Sequence, residues 1–242
     1  MPAPRPGAKG DAKAPRRRAS HSLEAVLGEA VALLDEAGEP ALTFRALAAR
    51  LGGGVASIYW YVASRDELLD RATDQVLAGV LTATEQYATG ADPVDADPID
   101  SLRTIAVTLF DAVVERPWLA TYFMRNTTLQ PNGLALYERL GQQVLRLGLT
   151  PRQSFHAVSA VVGFVVGIAA DLGQEPPEEV LKDFTTREEF LTRYADQWRE
   201  LDPDAYPFVH YIVDEFAGHD DTDQFRSGLD LLLEGLRLQA RR

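Results

Sequence analysis

The spacing of hydrophobic residues predicts one helix after another along this chain. Between about Leu23 and Ala37 apolar side chains recur every three or four residues, with Ser22 suited to the N-cap and Gly38 to a left-handed C-terminal turn. A short second helix follows Thr43, where Phe44 begins an i, i+3, i+4, i+7 stripe. A third helix is predicted over about 55–62, after three consecutive glycines.

The remaining pattern is also helical. Ser64 and Glu67 form a predicted capping box that opens a fourth helix, which runs on to about residue 87. Further helical segments are predicted at about 101–115, 118–127, 133–147, 151–172, 187–201, 206–217 and 222–240, most of them separated by Pro or Gly. No stretch alternates as a strand would, so we predict an all-α fold of about ten helices.

Residues 43–70 have the order of a helix-turn-helix: a helix, a tight glycine turn and a short second helix. In such a motif the second helix enters the DNA major groove, so it needs one buried face and one free face. We expect Val55, Ile58 and Val62 to point inward. The residues then left towards solvent and DNA are Ala56, Ser57, Tyr59, Trp60 and Tyr61. Large aromatics on a solvated helix favour a binding role, although Tyr59 or Trp60 could instead pack back on the first helix.

Three segments carry a resemblance to a known family. LTFRALA (42–48), SIYWYV (57–62) and LLD (68–70) resemble the DNA-binding domain of the tetracycline-repressor (TetR) family, and FRSGLDLLLEGL (225–236) is similar to the last helix of its tetracycline-repressor subgroup. The resemblance implies DNA contacts from Thr43, Arg45, Ala56, Ser57, Tyr59, Trp60, Tyr61 and Arg65. The glycine turn is looser than usual and Tyr61 replaces a histidine, so the operator sequence cannot be carried over.

Charge is distributed unevenly. Residues 1–20 hold six basic residues and one acid, a net charge of +5, whereas the whole chain carries −12. We expect a disordered basic arm here, and residues 21–70 are net −5. Arg16, Arg17 and Arg18 could therefore supply phosphate attraction that the helix-turn-helix lacks and enter a minor groove. The alternative is a tail that only aids solubility.

We expect residues 21–70 to form the DNA-binding domain, with a connecting helix to about 87, and residues 88–242 an effector-binding and dimerisation domain. The run 158–170 is apolar on every face, which predicts a helix buried all round. By the resemblance, this helix and the last one pair with their counterparts in a second subunit; the alternative is that both form the core of a monomer. The predicted interface residues are Val158, Val162, Gly163, Val166, Gly167, Leu229, Leu232, Leu233 and Leu236.

Aromatic residues accompanied by a few polar groups suggest a pocket for a flat, drug-like small molecule. The candidates are Trp118, Tyr122, Phe123, Arg125, Asn126, Phe155, His156, His210 and Tyr211, with Tyr206 nearby. The tetracycline repressor binds a metal–drug chelate, but no His/carboxylate spacing supports a metal site here. No cofactor is expected.

Several function classes are disfavoured. The chain has no cysteine, no P-loop, no nucleophile elbow and no His-Glu-x-x-His motif, so we expect no catalytic residues. It has no evident signal peptide, and its longest apolar run, 14 residues, is short for a membrane span, so we expect a soluble cytoplasmic protein without a membrane partner. The predicted function is a dimeric repressor that binds a palindromic operator and is released by a small-molecule inducer. A TetR-type activator, or a helical ligand-sensing or partner-binding protein without operator binding, remains an alternative.

Overall fold

The computed structural model describes residues 21–88, 96–125, 130–173 and 186–241. Within these ranges the fold is all-α, as predicted, with eleven α-helices, one short 3₁₀ helix and no strand. The helices are α1 (Leu23–Ala41), α2 (Phe44–Arg50), α3 (Val55–Ile58), α4 (Arg65–Ala83), α5 (Pro98–Val114), α6 (Pro117–Arg125), α7 (Pro131–Leu145), α8 (Pro151–Leu172), α9 (Arg187–Arg199), α10 (Pro207–Gly218) and α11 (Asp221–Ala240). The basic arm, with Arg16 to Arg18, and Asn126 lie outside the described residues.

The predicted N-caps begin the first helices as expected. Hydroxyl oxygens of Ser22, Thr43 and Ser64 accept hydrogen bonds from backbone N–H groups three residues later, at 3.0–3.1 Å. The capping box at α4 differs in one detail: the Glu67 carboxylate accepts the N–H of Ala63 at 2.6 Å, one residue before the cap. This bond pairs the N–H of Ala63, which precedes the helix and has no partner within it.

Helices α1 and α3 differ in length from the prediction. Helix α1 continues beyond Ala37 through a kink at Gly38, whose φ of +68° and ψ of −177° lie in a region that only glycine adopts at little cost. Helix α3 is only one turn long, and Tyr59 to Tyr61 form a turn after it. The inward position expected for Val55 is wrong, since Val55 opens the helix at the exposed glycine turn; Ile58 and Val62 are buried as expected.

One continuous apolar core joins the N-terminal helices to the C-terminal ones. Helix α5 lies at its centre and packs against α4, α6, α7, α8 and α11. Its Phe110 ring stacks on Phe225 of α11, with centroids 3.6 Å apart. Helices α9 and α10 pack mainly on each other, around a stacked Trp198–Phe216 pair, and make few contacts with the other described elements.

Helix α8 is not buried on all sides within the protomer, which corrects the sequence expectation. Val161, Val165 and Ala169 are buried, whereas Ser159, Ala160, Gly163 and Gly167 are exposed. The helix has 22 residues, and its 18-residue window of mean hydropathy 1.9 is long and apolar enough to cross a membrane by length and composition alone. Because it packs against α5, α6, α7 and α11, we interpret it as a core helix with one uncovered side.

Candidate nucleic-acid interface and effector region

The glycine turn of the helix-turn-helix is ordered by hydrogen bonds. Gly53 N–H donates to the carbonyl of Ala48 at 2.9 Å, and Gly52 has a φ of +67°. The Ser57 hydroxyl donates to the carbonyl of Gly54 at 2.6 Å. The turn therefore fixes the start of α3, and the hydroxyl proton of Ser57 is used there. Ala56 and Thr43 are exposed beside it, on the side predicted to meet DNA.

Two aromatic side chains form the exposed face of this motif. Trp60 is 87% exposed and Tyr59 is 59% exposed. The Tyr59 ring meets the edge of Phe44 on α2, with centroids 4.8 Å apart, so it is steadied by the preceding helix. The indole of Trp60 has no ring contact within the described residues and projects into solvent. Because the Tyr59 ring is already packed on Phe44, it loses little further conformational freedom on binding a partner.

The structure does not place Tyr61 on this face. Tyr61 is half-buried, and its hydroxyl donates a hydrogen bond to the backbone carbonyl of His21. The His21 ring also lies next to the glycine turn, 3.6 Å from where a Cβ on Gly53 would be. Tyr61 thus fastens the start of the described chain to the turn after α3. The expectation that its side chain is left fully towards solvent is wrong, and its contact with DNA stays a prediction.

Most arginines of the helix-turn-helix are committed to other groups. Arg65 donates to the carbonyls of Leu42 at 2.9 Å and Glu39 at 2.6 Å, and its guanidinium lies 3.2 Å from the Glu39 carboxylate. Arg50 pairs with Glu36, and its hydrogen bond holds the pKa of Glu36 below the ordinary range. Arg45 is exposed and forms no ion pair within the described part of the chain. Arg65 therefore braces the start of α4 against the end of α1, and its expected phosphate contact stays a prediction.

Acidic side chains of α1 and α4 bind residues of α6 and hold that helix against the N-terminal helices. Asp35 accepts the indole N–H of Trp118 at 2.7 Å, and Asp70 accepts the Tyr122 hydroxyl at 2.7 Å. Burial, together with the Asp70 carboxylate, raises the pKa of Tyr122 well above its usual range. Trp118 and Tyr122 are 7% and 2% exposed, so both serve the contact between the two regions in this conformation.

The same contact has two further acidic members. Asp74 accepts from the backbone N–H and the side-chain amide of Asn132 at 2.8 and 2.9 Å. Glu39 pairs with Arg125 at the end of α6. Helices α6 and α7 are therefore joined to α1 and α4 by directional polar bonds as well as by the apolar core.

The candidate ligand residues are distributed over three places. Trp118, Tyr122, Phe123 and Arg125 lie on α6, beside α1 and α4. Phe155 and His156 are exposed at the start of α8, and the exposed Tyr211 lies with His210 on α10. His210 uses its Nε2 atom on the carbonyl of Leu201 at 2.8 Å, and Tyr206, 49% exposed, precedes α10. The expectation of one common pocket is therefore not met within this protomer.

Cavities lie elsewhere. One of about 460 Å³ lies between α1, α4 and α5, and is lined by Val76 and Asp111 among others. A second, of about 440 Å³, lies where α1 and α4 meet α6, and Trp118 and Arg125 line it. A third, of about 300 Å³, separates α8 from α11 and includes His156. Helical spacing could not predict these cavities, because each is bounded by residues from at least two elements distant in sequence.

The candidate dimer face on α8 and α11 is only partly made of the predicted residues. Gly163 and Gly167 are exposed, and Val162 and Leu232 are half-buried. Val158, Val166, Leu229, Leu233 and Leu236 are already buried in the protomer and support this face from beneath. Leu231, 79% exposed, was not among the predicted interface residues. Leu231 precedes the half-buried Leu232 on the helix, and its side chain lies on the exposed side.

No group of three or more His, Asp or Glu side chains within the described ranges could hold a metal ion.

Comparisons with known proteins agree on one family. The family model "Bacterial regulatory proteins, tetR family" matches residues 26–72, and "Tetracyclin repressor-like, C-terminal domain" matches residues 92–240. The chain is 27% identical over 217 residues to the HTH-type transcriptional repressor DrrR1 of Streptomyces coeruleorubidus, covering 90% of this chain and 77% of that protein.

Solved structures are similar along nearly the whole chain. SCO7222, a TetR from Streptomyces coelicolor, is 37% identical with a TM-score of 0.74, covering 89% of this chain and 97% of its own. ActR from Streptomyces coelicolor, in complex with (S)-DNPA, has a TM-score of 0.75 at 22% identity, covering 91% and 99% of the two chains. The likeness to ActR shows the shared fold.

Proposed function

The chain belongs to the TetR family of bacterial transcriptional regulators, and from that premise we propose that it is a cytoplasmic repressor that binds a palindromic operator as a homodimer and is released by a small molecule. It is a DNA-binding regulator, not an enzyme. We propose residues 21–70, with the connecting helix to about 87, as its DNA-binding domain and residues 88–242 as its effector and dimerisation domain. The repressor assignment is supported by the similarity to DrrR1, a repressor by name.

The observation that carries this proposal is the exposed aromatic pair of the helix-turn-helix. Trp60 and Tyr59 project from the turn after α3, the glycine turn fixes the start of that helix, and the Tyr59 ring packs on Phe44. The indole N–H and the phenol can donate to phosphate oxygens, and both rings can contact thymine methyl groups. Thr43, Arg45, Ala56 and Ser57 flank them as proposed DNA contacts.

We propose that the open sides of α8 and α11 form the homodimer interface. Gly163 and Gly167 allow close approach of a partner helix, and Leu231 offers an apolar side chain that the protomer leaves uncovered. In a two-fold dimer each residue of this face meets the same face of the partner. Two recognition helices would then meet half-sites about 34–36 Å apart or a multiple of that spacing.

The basic arm is proposed to contribute much of the attraction to phosphate. Its support is the pairing of Arg50 and Arg65 with carboxylates, which leaves little free positive charge on residues 21–70. The Tyr61–His21 hydrogen bond holds residue 21 beside the turn after α3, so the arm that precedes it would begin near the proposed DNA contacts. We therefore expect deletion of residues 2–18, which include Arg16, Arg17 and Arg18, to weaken operator binding and flatten its salt dependence. An unchanged salt slope would reject this role.

The proposed inducer is a small molecule, aromatic or drug-like. Structures of ActR with actinorhodin and of a TetR from Acinetobacter baumannii with minocycline show that related folds bind such compounds. Among the predicted ligand residues, Trp118 and Arg125 line the cavity beside α6, and His156 lines the one between α8 and α11.

Footprinting on the DNA upstream of the protein's own gene tests the proposal. We expect protection of two inverted half-sites on one face of the duplex at nanomolar protein. Transcription from that promoter in vitro should fall as protein is added. Protection without inverted symmetry would contradict the dimeric operator, and a rise in transcription would identify an activator.

A further inference from the structure

The cavity between the DNA-binding helices and α6 has the features of a small-molecule site. It measures about 440 Å³, within the usual size range of ligand pockets. Its apolar walls are Pro40 of α1 and Pro117 and Trp118 of α6, and its polar wall holds Glu39, Arg65 and Arg125. We call it the seam cavity.

The charges in the seam cavity favour an anion. Two guanidinium groups, those of Arg65 and Arg125, share the single carboxylate of Glu39. Arg65 is also held by two backbone carbonyls at 2.9 and 2.6 Å, whereas Arg125 has one longer bond, to the Thr121 carbonyl at 3.3 Å, and its side chain is 52% exposed. The lining residues therefore carry a net charge of +1, and Arg125 is the cation that can exchange its partner. An arginine fork matches a carboxylate in two parallel hydrogen bonds.

Two glycines shape the seam cavity. The kink at Gly38 turns the end of α1, so that Glu39 and Pro40 face α6. At Gly173, a Cβ would lie 3.1 Å from the Cβ of Pro117. A glycine there therefore lets the end of α8 pack closely on the start of α6, where both residues line the cavity. The cavity thus depends on backbone features on both sides.

We propose that the seam cavity binds a planar organic carboxylate. Its carboxylate replaces Glu39 on the guanidinium of Arg125, and its apolar body lies against Pro40, Pro117 and Trp118. The indole of Trp118 is held by Asp35 at 2.7 Å, which keeps this wall in place before the ligand arrives.

Binding at this site has a consequence that rests on the proposed function. Glu39 lies on α1, next to the anchoring point of Arg65 at the start of α4, and Arg125 ends α6. An anion that takes Arg125 removes one of the bonds between the effector region and the recognition unit. Such a ligand shifts the population towards arrangements in which the two recognition helices no longer match one operator.

Calorimetric titration of the full chain with 2-naphthoate, in the absence of DNA, tests the site directly. We expect saturable one-site binding with a dissociation constant of about 1 mM or below, appropriate to a ligand of this size. Arg125→Gln should weaken it at least about fivefold, because a neutral amide cannot replace a charge-assisted fork. Thr121→Tyr, at an exposed lining position, should block the cavity while leaving Glu39, Arg65 and Arg125 unchanged.

Two controls separate this site from general binding. Arg199→Gln removes an ion-paired, partly exposed arginine on α9, outside the cavity, and should leave binding as in wild type. The neutral analogue 2-naphthalenemethanol should bind at least about fivefold more weakly than 2-naphthoate. The proposal is overturned if wild type shows no saturable binding, or if Arg125→Gln and Thr121→Tyr both bind 2-naphthoate as tightly as wild type does. It is also overturned if the alcohol binds wild type as tightly as 2-naphthoate does. The titration contains no DNA, so a failed operator experiment and a failed ligand experiment are distinguishable.

Discussion

At the scale of single residues, Arg45 and Arg65 show how similar positions acquire different roles. Both are basic residues of the helix-turn-helix, and the family resemblance implies DNA contact for both. Arg65 instead donates to the carbonyls of Leu42 and Glu39, while Arg45 is exposed and without an ion pair among the described residues. Arg65 therefore contributes to the packing of α4 on α1, and we predict that Arg45 contacts phosphate.

This difference gives a paired prediction. Arg65→Ala should lower the free energy of unfolding by about 1–3 kcal/mol, because it removes charge-assisted bonds to two carbonyls. Arg45→Ala should leave stability nearly unchanged and reduce the salt slope of operator binding by about one. Urea denaturation and salt-dependent anisotropy measure the two effects. The assignment fails if the two variants exchange phenotypes.

Sequence reasoning succeeded at single residues where the environment is local. The caps of Ser22, Thr43 and Ser64 and the exposure of Trp60 follow from neighbours a few positions away. Tyr61 was misplaced because its partner, the carbonyl of His21, is 40 residues distant. Contacts of this kind depend on how the helices pack, which periodicity does not encode.

At the scale of elements, helix positions could be predicted well and helix ends less so. The four predicted segments from 133 to 217 each match an observed helix to within about two residues. Helix α1 ran past its predicted end because Gly38 produced a kink instead of a stop, and the following residues resumed helical geometry. Helix α8 was expected to be buried all round, but Ala160, Gly163 and Gly167 lie on a side that the described residues leave exposed.

Two glycines of α1 provide a matched test of the kink. Gly38→Ala should destabilise the protein by about 1–2 kcal/mol, since a Cβ is strained at a φ of +68°. Gly28→Ala should stabilise it by about 0.5–1 kcal/mol, since Gly28 is inside the helix with open space around it. Thermal or urea unfolding reports both. A Gly38→Ala protein that is as stable as wild type, or more stable, would show that the kink is not required.

The start of α4 should respond to acid. The hydrogen bond from the Ala63 N–H lowers the pKa of Glu67, so the ionised carboxylate is favoured in the folded state. Its stabilisation is present above the ordinary pKa of a glutamate and is lost as pH falls through the lowered value. Glu67→Gln should therefore be less stable than wild type at pH 7, and the difference should shrink at pH 3.

Urea unfolding at both pH values measures that difference. The neighbouring Asp66→Asn, which removes an exposed carboxylate from the same helical turn, is the matched control. A difference for Glu67→Gln that stays constant or grows on acidification would contradict the capping role.

At the scale of the whole molecule, the sequence predicted an all-α regulator with a helix-turn-helix, and the comparisons confirm the family. The candidate effector site was not predictable to the same degree. Trp118 and Tyr122 look like pocket walls in the sequence, yet Asp35 and Asp70 bind them at the contact between the two regions. The charge of −12 likewise hides a division between a basic arm and an acidic body.

The proposed dimer can be tested on its uncovered face. Leu231→Glu should leave the protomer folded, because the side chain is 79% exposed, but should place two carboxylates in an apolar two-fold interface. We expect a monomer by light scattering at micromolar concentration and operator binding at least about tenfold weaker. Leu134→Glu, at a 52% exposed position on α7, is the control and should remain dimeric. A dimeric Leu231→Glu would place the interface elsewhere.

The central claim is that the exposed aromatics of the recognition turn bind operator DNA. Fluorescence anisotropy with the DNA upstream of the protein's own gene tests it, using wild type, Trp60→Ala and Tyr211→Ala. Trp60 and Tyr211 are 87% and 86% exposed, so neither substitution should affect folding. The account predicts tight, sequence-specific binding that Trp60→Ala weakens at least about tenfold and Tyr211→Ala leaves intact. Equal binding by wild type and Trp60→Ala, or no specific binding by wild type, would contradict it.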